Sequence, residues 1–185
     1  TGDSPGASSG CDKMGAASGT QSPDARLQCL HGIGHGAIET AVASTGIFGT
    51  LDDMTAGAIA VCEQASTGVN ERYRCVSGIY NAIANLFISG QYKLSVSTSD
   101  PLALCSRQKD AYKEACYGNM NSLAAWLFDN DVSKAAAYIL TIPDVQYRAG
   151  GIGYLARLNT VYHLEDSSFS GPVGQCEALP SAYRM

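Results

Sequence analysis

Within the stretch CLHGIGHGAIET, residues 29 to 40, two of the chain's three histidines, His31 and His35, stand four residues apart, and Glu39 follows four later. On a helix that spacing stacks all three side chains along one face. Two imidazoles so placed can grip one cation, and soft nitrogen donors favour copper or zinc. A third ligand would come from Glu39 or, through tertiary packing, from His163 or Asp166. Gly-Ile-Gly separates the histidines and no general-base glutamate follows His31, so the HExxH metalloprotease pattern is absent. The same residues equally describe a glycine-softened helix carrying two non-ligand histidines. Gly32, Gly34 and Gly36 would each cost a helix about 1 kcal/mol relative to alanine. That cost implies a closely approaching backbone or ligand, or else a segment that begins as a turn.

Other catalytic patterns are missing. There is no GxSxG, P-loop or GxGxxG; GGIGYLA at 150–156 has the glycines of a phosphate loop, but no strand precedes it and no Gly-Lys-Ser/Thr follows. The carboxylate pairs Asp52/Asp53 and Glu165/Asp166 sit near predicted helix ends, where they read as capping or solvated groups. Twelve Lys and Arg against 17 Asp and Glu give a net charge of -5 with no basic cluster, so a nucleic acid is not the expected partner. Hydrophobic residues make up 45% of the chain, but they form no apolar run of the length that spans a membrane.

The elements that would position these residues emerge from an internal repeat. ARLQCLHGIGHGAIETAV, ERYRCVSGIYNAIANLF and AYKEACYGNMNSLAAWLF each carry a polar lead, a cysteine, a small residue soon after, and a mostly apolar run; VQYRAGGIGYLARLNTVY is a fourth copy. Aligning Tyr147 with Tyr112 sets Gly151 on Cys116 and Leu140 on Cys105, so the fourth copy has lost two cysteines together. Joint loss is what a bonded pair predicts. The expected disulfides are Cys62–Cys75 and Cys105–Cys116 and, by extension, Cys11–Cys29. None of the seven cysteines forms a CxxC motif, and such spacing suits an oxidising, extracytoplasmic compartment. Cys176 is left unpaired. Tyr183 follows it as Tyr112 follows Cys105, so the chain is expected to stop inside a fifth unit, or to find its partner in another chain.

Each unit reads as a helical hairpin. LDDMTAGAIAVCEQA has helical spacing with acidic residues early, STGVN breaks it, and from Arg72 to Ile88 the residues Val76, Ile79, Ile83 and Leu86 share one stripe. In the third unit Asp100 is a candidate N-cap with Pro101 at the first helical position, and a second helix runs from Asp110 to Phe128. In the fourth, DVSKAAAYIL and Val145 to Tyr162 are helices around a TIPD break. QYKLSVSTS alternates weakly, is isolated between helices, and is expected to be an extended linker. The fold class is all-α, with stacked hairpins in the manner of an α-solenoid, each stapled by a local disulfide. Residues 1–10 read as a Gly/Ser/Pro tether and as the start of a mature exported segment. One helical-repeat domain follows over 11–185, with units near 11–47, 51–90, 99–130 and 131–165 and a partial unit at 172–185.

Counted from each second-helix cysteine, positions +2, +6 and +10 share a face. They are His31, His35 and Glu39, then Ser77, Asn81 and Asn85, then Gly118, Ser122 and Trp126, then Gly153, Arg157 and Val161. This face is either simply solvated or the binding surface of the array, with Ser77, Asn81, Asn85, Ser122, Trp126 and Arg157 as partner contacts. CLHGIGHG followed by helices such as CVSGIYNA resembles uncharacterised exported microbial proteins with a Cys-x-His-Gly-x-Gly-His segment, a likeness that implies no activity. The unit is similar in length to a tetratricopeptide repeat, without that family's Trp/Leu/Gly/Tyr pattern. The expected function is a non-enzymatic, secreted or extracytoplasmic module that binds a protein, a peptide or further copies of itself. The rival expectation is a copper or zinc protein, or a metal-dependent redox enzyme, using the His31/His35 pair.

Overall fold

In the computed structural model the described residues are 9–13, 23–45, 50–90, 99–162, 177, 179 and 181–183. Every regular element among them is helical: α1 (Pro23–Thr45), α2 (Leu51–Ala65), α3 (Val69–Ile88), α4 (Ala103–Ser106), α5 (Asp110–Leu127), α6 (Val132–Ile139) and α7 (Val145–Tyr162), with a helical turn over 9–13 and a 3-10 turn at Ser181–Tyr183. Local chemistry sets the helix ends. The Thr50 hydroxyl oxygen accepts from the Asp53 amide at 3.1 Å and caps α2. Asp131 caps α6 by accepting from the Lys134 amide at 3.1 Å. Gly90, at φ 64°, closes α3 in the left-handed conformation that glycine takes without strain. Asp129 and Asn130 play the same part after α5, at φ 56° and 57°. The third unit differs from expectation: its first helix is only Ala103–Ser106, and the Asp100 carboxylate accepts the Tyr138 hydroxyl at 2.6 Å.

The second helices of the units form one layer, with α1 packed on α3, α3 on α5 and α5 on α7; α2, α4 and α6 lie against them as a second layer. Leu30, Ile38, Ile79, Tyr80, Ile83, Met120, Leu123, Ile139 and Leu155 are fully buried between the layers. Each such aliphatic side chain is worth about 1.5–3 kcal/mol relative to exposure. Leu179 is buried in the same core and Tyr183 packs against it. No helix among the described residues is long and apolar enough to cross a membrane.

Three disulfides join Cys11 to Cys29, Cys62 to Cys75 and Cys105 to Cys116, with Cα separations of 5.5, 5.5 and 5.4 Å. Each closes a short loop and so removes little more than local freedom from the unfolded chain, on the order of 3 kcal/mol in the chain-entropy account. Cys176 lies outside the described residues. In the fourth unit apolar packing takes over from sulfur. A methyl built on Gly151 would stand 2.8 Å from Ile139 Cγ2, so α6 and α7 meet through Ile139 set against a bare backbone. The alignment of Leu140 with Cys105 is thus off by one residue; Leu140 is 36% exposed.

Close approach is most severe between α1 and α3. A methyl on Gly34 would stand 1.9 Å from the Cys75 carbonyl oxygen and 2.9 Å from the Ile79 nitrogen. One on Gly78 would stand 2.0 Å from the His31 carbonyl oxygen and 3.3 Å from Gly34 Cα. The two helices therefore touch backbone to backbone, which only glycine at both positions allows. Gly32 and Gly36, by contrast, face open space. A second recurring link sits four residues before the second-helix cysteine, or its equivalent, of the second, third and fourth units. Glu71 takes Arg26 of the first unit, Tyr112 donates its hydroxyl to Glu63 of the second, and Tyr147 stacks on Tyr117 of the third. One repeat position thus ties each hairpin to the one before it.

The glycines separate in a mutational test. Gly34→Ala or Gly78→Ala should destabilise the oxidised protein by about 2 kcal/mol or more, because two backbones must part. Gly32→Ala should stabilise it by about 0.5–1 kcal/mol, because only helix entropy changes. Urea unfolding without reductant measures both; equal effects at positions 32 and 34 would contradict the close crossing.

Candidate functional site

The crossing that needs Gly78 also sets His31. Its carbonyl lies over the Gly78 backbone, and its ring is carried against the start of α3, with Nδ1 3.3 Å from the Arg74 carbonyl oxygen. A carbonyl only accepts, so Nδ1 carries the proton and donates, and the Nε2 lone pair of neutral His31 stays free. Partial burial, then the charges of His35 and Arg74, push the His31 pKa down against the upward pull of that hydrogen bond, which favours the neutral ring. One turn along α1, the His35 ring lies with its centre 5.0 Å from that of His31 and its plane tilted by 59°. Glu39 is exposed a further turn away. Among the described residues no three His, Cys, Asp or Glu side chains gather as a cation site. His163 and Asp166 lie outside the described residues.

The remaining face positions divide. Ser77 is only 3% exposed, and its hydroxyl oxygen accepts from Asn119 Nδ2 on α5 at 3.1 Å. The expectation of a solvent-facing Ser77 is therefore corrected: α5 covers it through Asn119, whereas Gly118 and Gly153 at the same position of the next two units are exposed. Farther along the surface opens. Asn81 and Ser122 are half-buried, Asn85 and Arg157 are exposed, and Asn85 donates to Asn81 at 3.2 Å. Ser122 donates to the Asn119 carbonyl at 3.2 Å. Trp126 is 43% exposed on the same face of α5. Val161 is not among the residues whose side chains are described.

One feature escaped the sequence reading. Between the third and fourth hairpins lies a cleft of about 420 Å³, walled by Tyr117 and Tyr147, floored by Ile142 and Pro143, and edged by Asp110 and Lys113. The two tyrosine rings stack at 4.7 Å with planes 18° apart. Lys113 is paired with Asp110 at 2.7 Å. Tyr147 serves in the alignment only to set register. The signal that would have found the cleft is a tyrosine on each of two successive second helices near the turn end.

Beside the histidines, Arg26 forks onto Glu71, with Nε donating at 2.6 Å and Nη2 at 3.2 Å; it also pairs with Asp12. The Thr67 amide and hydroxyl donate to the same glutamate at 2.8 and 2.9 Å. These hydrogen bonds, Arg26's first, outweigh burial and hold the Glu71 carboxyl down at about 2, against an ordinary 4.5. A value lower in the folded state means the stabilisation is complete above the ordinary value and is lost as pH falls toward the folded one. Glu71→Gln should therefore unfold at lower urea than the wild type at pH 7. That gap should narrow to less than half by pH 2 as the wild type alone loses the carboxylate. A gap independent of pH would contradict the forked pair. Comparison of the chain with protein-family models, with curated proteins and with solved structures finds no match.

Proposed function

We propose that this chain is a non-enzymatic, extracytoplasmic helical-repeat module that binds a protein or peptide, further copies of itself included, along the outer face of its stacked second helices. The observation that carries the reading is Trp126, 43% exposed on α5 while most of the other large apolar side chains are withdrawn into the core. Wetted indole surface is costly in water, and tryptophan concentrates at the energetic centres of interfaces. Asn81 and Asn85 on the preceding helix, Ser122 on α5 and Arg157 on the following one place amide, hydroxyl and guanidinium groups on the same face. Apolar centre and polar margin are the ordinary anatomy of a binding patch. Three local disulfides support an oxidising compartment.

A photoreactive residue placed at position 126, with a control at the exposed Ala56 on α2, tests the reading in the native secretion medium and with the purified chain alone. Adducts, whether to another protein or to a second copy, should form several-fold more at 126 than at 56. Trp126→Ala should then weaken the captured interaction by about 2 kcal/mol or more and leave folding stability within about 0.5 kcal/mol. Equal crosslinking at both positions would overturn it.

A further inference from the structure

We propose that His31 and His35 form a divalent transition-metal site of the copper(II) or zinc(II) class, built on one face of α1 and open at its remaining coordination positions. This goes beyond the partner-binding reading and holds whether or not the face around Trp126 binds anything. The donor atoms are prepared by the fold. The Nδ1–H of His31 faces the Arg74 carbonyl at 3.3 Å, which leaves Nε2 as the ligand nitrogen. Metal-bound histidines are ordinarily oriented in this way, by a hydrogen bond from the ring nitrogen that does not touch the metal.

Ring spacing is the second support. An ion about 2.0–2.1 Å from each imidazole nitrogen stands roughly 3.2 Å from each ring centre. Centres 5.0 Å apart then subtend roughly 100° at that ion, near the tetrahedral angle that zinc prefers. Space is the third. Methyl groups built on Gly32 and Gly36, the residues that follow each histidine, would meet nothing within 4 Å. No other helix thus covers the surface of α1 next to the imidazoles, and water or a donor from another molecule would complete four-coordination from that side. Arg74 works against a cation here, since its charge is felt at His31. A pair of imidazoles opposed by one guanidinium binds more weakly than a four-ligand structural site.

The test titrates the full chain, disulfides intact, with zinc chloride and separately with copper(II) buffered by glycine, following the imidazole nitrogens by NMR. Before metal, neutral His31 should show its proton on Nδ1. Zinc should then move His31 Nε2 and one His35 ring nitrogen together, and paramagnetic copper(II) should broaden those same two signals first, each saturating at one ion per chain. His35→Ala, at a half-buried surface position, should weaken binding about tenfold or more through loss of the chelate, with the circular dichroism spectrum unchanged. His31→Gln, which still offers a donor to the Arg74 carbonyl, should do the same. No saturable shift at either imidazole, or His35→Ala binding as tightly as the wild type, would overturn the site.

Discussion

Much of this molecule depends on one contact, the crossing of α1 and α3 at Gly34 and Gly78. A carbonyl oxygen of each helix occupies the place where the other would carry a β-carbon. Helices that meet through side chains keep 8–10 Å between axes, whereas these meet through bare backbone, and the usual interdigitated layer is missing at the crossing. The rest of the interface is ordered around that point. Ile79, one residue past Gly78, goes into the core, while His31, three before Gly34, is laid against Arg74. Glycine in mid-helix costs conformational entropy, and the adjacent bridge from Cys62 to Cys75 offsets part of that cost by holding the carbonyl-bearing end of α3 in place.

The array is held by nearest-neighbour ties of different chemistry at equivalent positions. Four residues before the cysteine position the tie is an ion pair, then a hydroxyl–carboxylate bond, then stacked rings. Within hairpins the link is sulfur until the fourth, where Ile139 on Gly151 replaces it. Such substitution is expected in a repeat architecture, because each unit answers only to its neighbours and different pairs of residues can satisfy the same local need.

Much of this was legible in the sequence. Leu51–Ala65 and Val145–Tyr162 end where period and break residues place them. The three sulfur pairs followed from two cysteines vanishing together in one repeat. The stripe Val76, Ile79, Ile83 and Leu86 is buried. Other features were not legible, for physical reasons. Three glycines around the histidines promised a close approach, but only packing distinguishes Gly34, which meets a backbone, from Gly32 and Gly36, which meet open space. Ser77 has the polarity of a surface residue and is covered by its neighbour, its hydroxyl satisfied by Asn119. A one-residue difference between arms moved Ile139 into the place that alignment assigned to Leu140. These are all facts about helix-to-helix distance, which hydrophobic period does not encode.

That distance is open to direct measurement. Nuclear Overhauser contacts between the α-protons of Gly34 and Gly78, recorded on the oxidised chain with glycine-selective labelling, report whether the two backbones touch. A strong contact between them is expected, together with one from Gly34 to the Ile79 amide. Absence of both, in a protein whose three disulfides are intact and whose helices are formed, would contradict the close crossing.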